Sequence, residues 1–126
     1  MNDKVIVVTA PDDVLINSPR ICLVNLDPEQ SKLISDILLN IKLDSVLVIY
    51  MWTGNDSIDW FLDKFYKSDL VIFNADICDT VTGFVSASKK SYYFGQLKEL
   101  SSANPRTLYA YDDCKNLINS FIEKYE

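Results

Sequence analysis

The residues best placed to do chemistry are carboxylates that follow short apolar runs. Asp76 and Asp79 lie in Asn74-Ala75-Asp76-Ile77-Cys78-Asp79, directly after Leu70-Val71-Ile72-Phe73. Two carboxylates this close suit proton transfer, one as acid and one as base, or coordination of Mg²⁺, which takes oxygen ligands. They are the catalytic candidates, although acidic residues at strand ends also serve simply to solubilise loops. A second stretch, Trp52-Thr53-Gly54-Asn55-Asp56, precedes a helix whose N-terminus can hold a phosphate. It has a single glycine, however, and neither G-x-G-x-x-G nor a P-loop occurs in the chain. Capping alone accounts for Asn55, Asp56 and Ser57. Asp112-Asp113 is a third candidate loop and equally reads as the cap of the last helix. Cys114 beside it has a helix dipole to lower its thiol pKa and two carboxylates to oppose that, so a buried, inert thiol is the simpler reading.

Composition removes several chemistries. The chain has no histidine, which takes away the usual general base and the commonest metal ligand. Cys22, Cys78 and Cys114 are far apart with no C-x-x-C, so neither a zinc site nor a disulfide framework is expected, and reduced thiols fit a cytoplasmic location. No cofactor is expected. The net charge of −6 argues against general nucleic-acid binding, because phosphate neutralisation needs a basic surface. Lys89-Lys90 is the one basic pair that could form a local patch, and it reads as a solvated turn. The apolar runs are of strand length, far short of the roughly 20 residues of a membrane span, and MNDKVIVV lacks the pattern of a signal peptide. The lean toward Ile, Asn, Asp, Lys, Ser and Tyr is what an AT-rich genome produces, phages being one such source.

The elements that must position these residues are legible from periodicity. At 126 residues and 48% hydrophobic content the chain is expected to form one domain, 1–126, with its own core. The runs 46–51 and 70–73 are unbroken apolar stretches, as strands covered on both faces require. Between them Ile58, Phe61, Leu62 and Phe65 recur at helical spacing, with Asp59, Asp63, Lys64 and Lys67 on the polar side, so 45–83 reads as a βαβ unit. Upstream, 5–9 and 21–26 are apolar strands. Their connection is shorter than a helical crossover, so they either form an antiparallel hairpin, the preferred reading, or lie apart in the sheet. Asp27-Pro28-Glu29-Gln30 starts a helix over 28–42 with a capping-box pattern. A last strand at 107–111 leads into a helix over 113–126. The segment 76–105 has no clean period: a hairpin of 84–87 with Tyr92-Tyr93-Phe94, or a short helix over 85–90, both fit, and 94–100 suits a helical turn or two. The fold class is therefore α/β: a single three-layer Rossmann-like or flavodoxin-like domain of about five mostly parallel strands, with helices on both faces. In such a sheet ligands bind beyond the carboxyl ends of the strands. That makes Trp52, Thr53, Gly54, Asn55, Asn74, Asp76 and Asp112 the ligand-binding candidates.

The stretch Ser68-Asp69-Leu70-Val71-Ile72-Phe73-Asn74-Ala75-Asp76, followed by Asp79, Thr80, Thr82 and Gly83, resembles the active-site region of nucleoside 2-deoxyribosyltransferases and related small Rossmann-like proteins. Ser68, Asp69 and Asp76 match that family's pattern, and Asp79 and Gly83 fall near it. The family's nucleophilic glutamate has no counterpart, since Phe84, Val85, Ser86 and Ala87 stand where it belongs. The resemblance implies a fold and a nucleotide-shaped pocket without the transferase reaction. The expectation is thus a non-catalytic cytoplasmic binding or interaction domain, with a nucleoside- or nucleotide-processing enzyme acting through Asp76 and Asp79 as the alternative. The aromatic residues, Trp60 and Tyr92-Tyr93-Phe94 above all, further suggest a homodimer formed through the 76–105 segment or the helix bearing Trp60.

Overall fold

The computed structural model describes residues 3–55, 57–77, 79–95, 106–108 and 111–124. Its strands are β1 (Val5–Thr9), β2 (Arg20–Val24), β3 (Leu47–Trp52), β4 (Leu70–Asn74), β5 (Ser91–Phe94) and the two-residue β6 (Arg106–Thr107). The helices are α1 (Pro28–Asn40), α2 (Ile58–Lys67), α3 (Thr80–Ser86) and α4 (Tyr111–Glu123). All strand pairs are parallel, in the order β1-β3-β2-β4-β5-β6. The domain is the three-layer α/β sandwich that the apolar runs predict. Without the edge strand β1, its order is the 2-1-3-4-5 of doubly wound flavodoxin-like sheets.

Each layer follows from strand alternation. Ile21, Leu23, Leu47, Ile49, Leu70 and Ile72 point to one face, where Ile34, Ile37 and Leu38 of α1 and Ile118, Phe121 and Ile122 of α4 cover them. Cys22, Val24, Val48, Tyr50, Val71 and Phe73 point to the other, under Phe61 and Phe65 of α2 and Val81 and Val85 of α3. β4 is buried along its whole length, as a central strand must be. The capping box at Asp27 forms as its sequence requires: Gln30 N–H donates to Asp27 Oδ1 at 2.8 Å, and Asp27 N–H to Gln30 Oε1 at 3.0 Å. Ser57 caps α2 by accepting Trp60 N–H at 3.3 Å, without the reciprocal bond.

Several expectations are corrected. β1 and β2 form no hairpin: β1 pairs with β3 at the sheet edge, and β2 lies between β3 and β4. Residues 10–19 return from the carboxyl end of β1 to the amino end of β2 as an irregular crossover. Extended, they reach up to roughly 33 Å, against about 17 Å for a five-residue strand, so a parallel return needs no helix. The segment after β4 is likewise no hairpin; α3 begins at Thr80, ahead of the expected 85–90, and β5 runs parallel to β4. Trp52 closes β3 instead of starting the loop, and Tyr111 opens α4 instead of ending a strand. The helical turns expected over 94–100 and the end of the last helix at 125–126 fall largely outside the described residues. Lys64, expected on the polar side of α2, is only 4% exposed. No helix among the described residues is long and apolar enough to cross a membrane.

Candidate functional site

β2 and β4 are neighbours, yet the helices that follow them, α1 and α3, cover opposite faces of the sheet. That divergence makes the carboxyl edge between them the topological switch point, where open α/β sheets place their ligands. One residue that periodicity did not single out, Asn25, stands there. It follows β2 in the left-handed region, φ 57°, a conformation Asn tolerates better than other non-glycine residues. Its N–H donates to the Trp52 carbonyl at 2.9 Å, and its Nδ2 to Asp79 Oδ2 at 3.3 Å. Gly54, at φ +89°, faces it so closely that a Cβ there would lie 3.0 Å from Asn25 Oδ1. Asn25 thus ties together the loops after β2, β3 and β4. The signal for it was present in the sequence: a polar side chain at the end of an apolar strand, just ahead of a helix cap.

The two catalytic candidates are held by different neighbours. Asp79 is the N-cap of α3; it accepts Thr82 N–H at 2.8 Å, with the Thr82 hydroxyl at 3.0 Å and Asn25 on its other oxygen. The Thr82 hydroxyl also hydrogen-bonds the Ile77 carbonyl. Asp76 is exposed and lies on the β5 side. Its carboxylate occupies the space that a side chain on Gly95 would take, since a Cβ there would meet it at 2.6 to 2.7 Å. Gly95 is at φ +92°, so glycine is required twice over, by the backbone and by the approach of Asp76. Asn74 is buried, and its Oδ1 accepts Asp76 N–H at 3.1 Å, an Asx-type turn that shapes the loop. Among the described residues no group of three carboxylate, thiol or imidazole side chains comes together to hold a metal.

The other ligand-binding candidates divide. Trp52 is buried against Phe61, ring centroids 4.8 Å apart, and its Nε1 has no hydrogen-bond partner among the described residues. Thr53, Gly54 and Asn55 are exposed beside Asn25. Asp112 lies in the first turn of α4, which follows β6, the third strand along from β2 and away from the β2–β4 switch point in the sheet order. Cys78 lies outside the described residues. The Cys22 and Cys114 thiols are free and buried, and burial pushes both up to about 12, with Asp113 adding to the rise at Cys114. Neither is a nucleophile at neutral pH.

A second polar cluster lies away from this edge, on the α2 face. Tyr50, fully buried inside β3, donates its hydroxyl to Asp13 Oδ1 at 3.1 Å. Asp13 Oδ2 takes the Lys64 ammonium at 2.7 Å and Lys67 at 3.4 Å, and Lys64 also meets Asp63 at 2.6 Å. Burial works to raise the Asp13 carboxyl, but Lys64, the Val14 N–H and Lys67 outweigh it and leave it at about 2. For Lys64 the balance against burial is held by Asp13 and Asp63, and its pKa is raised. Arg20 Nη2 donates to the carbonyls of Val14 and Ile16, and Trp60 Nε1 to that of Asp12. Apart from the Lys64–Asp63 pair within α2, these bonds fix the 10–19 crossover to the face of the sheet, so the cluster is a structural clasp. Lys90 is structural as well. Its ammonium donates to the Phe65 and Ser68 carbonyls at the end of α2, at 2.6 and 2.8 Å, and burial lowers its pKa. Lys89-Lys90 is therefore not a solvated pair; only Lys89 is exposed.

Comparison of the chain with known protein families, with characterised proteins and with solved structures gives no match. Of the residues that carry the transferase resemblance, Ser68 is buried and donates to the Lys64 carbonyl, and Asp69 accepts the Arg20 N–H. Both have structural partners at the amino edge of the sheet, while Asp76 and Asp79 stand at the carboxyl edge.

Proposed function

We propose that this chain is a non-catalytic cytoplasmic binding domain whose ligand site is the crevice between the ends of β2 and β4. The observation that carries this reading is the engagement of Asp79. As an N-cap bonded to Asn25 and Thr82 it is a fixed strut of the crevice, both of its oxygens already engaged. The crevice wall is made of amides, backbone groups and the exposed carboxylates of Asp76 and Asp79, groups that recognise a polar ligand by hydrogen bonding. A small nucleoside-like molecule fits this chemistry better than a polyphosphate, which the negative charge of Asp76 and Asp79 would repel. A thermal-shift screen of nucleosides and nucleotides tests the reading. A ligand at a hundred times its Kd stabilises the fold by about 2.7 kcal/mol, and Asn25→Ala should abolish the shift. If none of these compounds raises the melting temperature, the nucleoside-like ligand is rejected.

The second reading, a nucleotide-processing enzyme, draws on Asp76, which is exposed at the same edge. It requires turnover of nucleosides, nucleotides or phosphoesters that disappears in Asp76→Asn. Such turnover would overturn the non-catalytic reading; its absence across that panel would remove the enzyme.

A further inference from the structure

The rings expected to mediate self-association are not exposed together. Trp60 is half-buried, edge-on to Tyr50 at 6.0 Å; Tyr92 and Tyr93 are half-buried, and Phe94 is in the core. The outer edge of β1 is different. Leu47 N–H donates to the Lys4 carbonyl at 2.8 Å, and Val5 to Thr9 stand opposite Leu47 to Met51 without a break. In a parallel ladder the main-chain groups of an edge strand turn alternately toward its neighbour and away from it. Lys4, Ile6 and Val8 therefore bond to β3, while Val5, Val7 and Thr9 direct their N–H and C=O groups outward. Among the described residues nothing takes the outward groups of Val5 and Val7, and of Thr9 only the carbonyl is used, by Asp12 N–H at 2.9 Å. The Val7 side chain, on the same sheet face as Val5, is 50% exposed. Edge strands are ordinarily blunted by a charge, a proline, a bulge or extreme shortness. β6, at the opposite edge, is two residues long; β1, Val-Ile-Val-Val-Thr, has none of these devices.

We propose that β1 pairs antiparallel with β1 of a second copy, Val7 facing Val7 across a two-fold axis perpendicular to the sheet. The outward groups call for an extended partner, and their positions select which one. They sit at residues 5, 7 and 9, symmetric about Val7, so the strand turned end for end presents the same pattern. Val7 then exchanges both of its bonds with its counterpart. Val5 exchanges both with the partner's Thr9, whose carbonyl has a second lone pair to offer. The half-exposed Val7 side chains meet on one face of the joined sheet. Such a contact is isologous and closes at two copies, because each bare edge is consumed by the other. Each copy carries a net charge of −6. The copies therefore repel at long range, and association strengthens as salt screens them. The contact is independent of any ligand in the crevice.

Sedimentation equilibrium from one to several hundred micromolar tests this. The expected result is a mass rising from 14.4 kDa towards twice that value, more readily at moderate salt than at low. Val7→Lys sets two ammonium groups opposite each other and should make dissociation at least tenfold easier. The melting temperature of the dilute monomer should change little, since the position is half exposed. Val7→Cys tests the register. Directly opposed Cα atoms in such a pair lie about 5.5 Å apart, within the span of a disulfide, so oxidised glutathione should cross-link this variant into a covalent dimer. Thr9→Cys, opposite the partner's Val5, should cross-link no more than the wild-type chain, whose own thiols set the background. A mass of 14.4 kDa at every concentration overturns the proposal. So does a dimer that tolerates Val7→Lys, or one in which Val7→Cys and Thr9→Cys cross-link alike, because its interface would lie elsewhere.

Discussion

Asp13 shows how one side chain can organise a loop. Its carboxylate serves Lys64, Lys67 and the Tyr50 hydroxyl at once. Removing it leaves Lys64, only 4% exposed, with Asp63 as its one remaining carboxylate among the described residues. Asp13→Asn should cost about 2 kcal/mol in urea denaturation at neutral pH, while Lys64→Met, which deletes the buried charge itself, should cost less. The pH dependence has a definite sign. The carboxyl titrates near 3.8 when unfolded and at about 2 in the fold, so its stabilisation is complete above pH 4 and fades as the pH falls towards 2. The gap between wild type and Asp13→Asn should therefore narrow through that window; a gap that stays constant from pH 7 to pH 2 would contradict the ion pair. Gly95 makes a different point. Gly95→Ala should destabilise by about 1–3 kcal/mol, partly from its positive φ and partly from collision with Asp76. Adding Asp76→Ala should recover only the collision component, and thermal denaturation of the two variants separates the two causes.

At the level of elements, the ends of α2 illustrate local and long-range capping side by side. Ser57 caps its start from the adjacent residue, as the sequence indicates. Its C-terminal carbonyls are met by Lys90, which arrives from the turn before β5 and places its ammonium where the helix dipole is negative. Lys90→Met, which removes the ammonium both from these carbonyls and from over the Phe65 ring, should cost about 1 kcal/mol by thermal denaturation. An equal stability in Lys90→Met would show that the Phe65 and Ser68 carbonyls do as well with water. The irregular crossover 10–19 has no helix or strand and is anchored by side chains, Asp13, Arg20 and Trp60 standing in for the backbone bonds that a helix would have made.

For the whole molecule, the sheet order sets a gradient of stability. β2 and β4 are covered on both faces and flanked on both edges, β1 has a neighbour on one side only, and β6 is two residues long. In the monomer, amide exchange should be slowest in β2, β3 and β4 and faster in the edge strands β1 and β6, since peripheral strands open without global unfolding. Slow exchange along β1 equal to that of β4 would indicate that another chain covers its outer edge.

Local chemistry fixed much of this protein before any tertiary contact was known. The unbroken apolar runs at β3 and β4, the stripe of Phe61 and Phe65, and the capping box at Asp27 each depend on residues within one element, and each is where periodicity put it. Strand neighbours are another matter. An apolar run states that both faces are covered without stating by what, so the place of β2 between β3 and β4 and the long return from β1 were decided by packing. The candidate site divides in the same way. Asp76, Asp79, Gly54 and Trp52 could be read from their positions after strands. Asn25 acquires its meaning only from the juxtaposition of β2 with β3 and β4, and Asp79 becomes a strut only because Asn25 and Thr82 reach it. Lys64 looked polar because its charge is visible in the sequence, while its partner Asp13 lies 51 residues away. Side-chain pairs separated that far along the chain are chosen by the fold, and that is why the clasp and the switch point needed the structure to be seen.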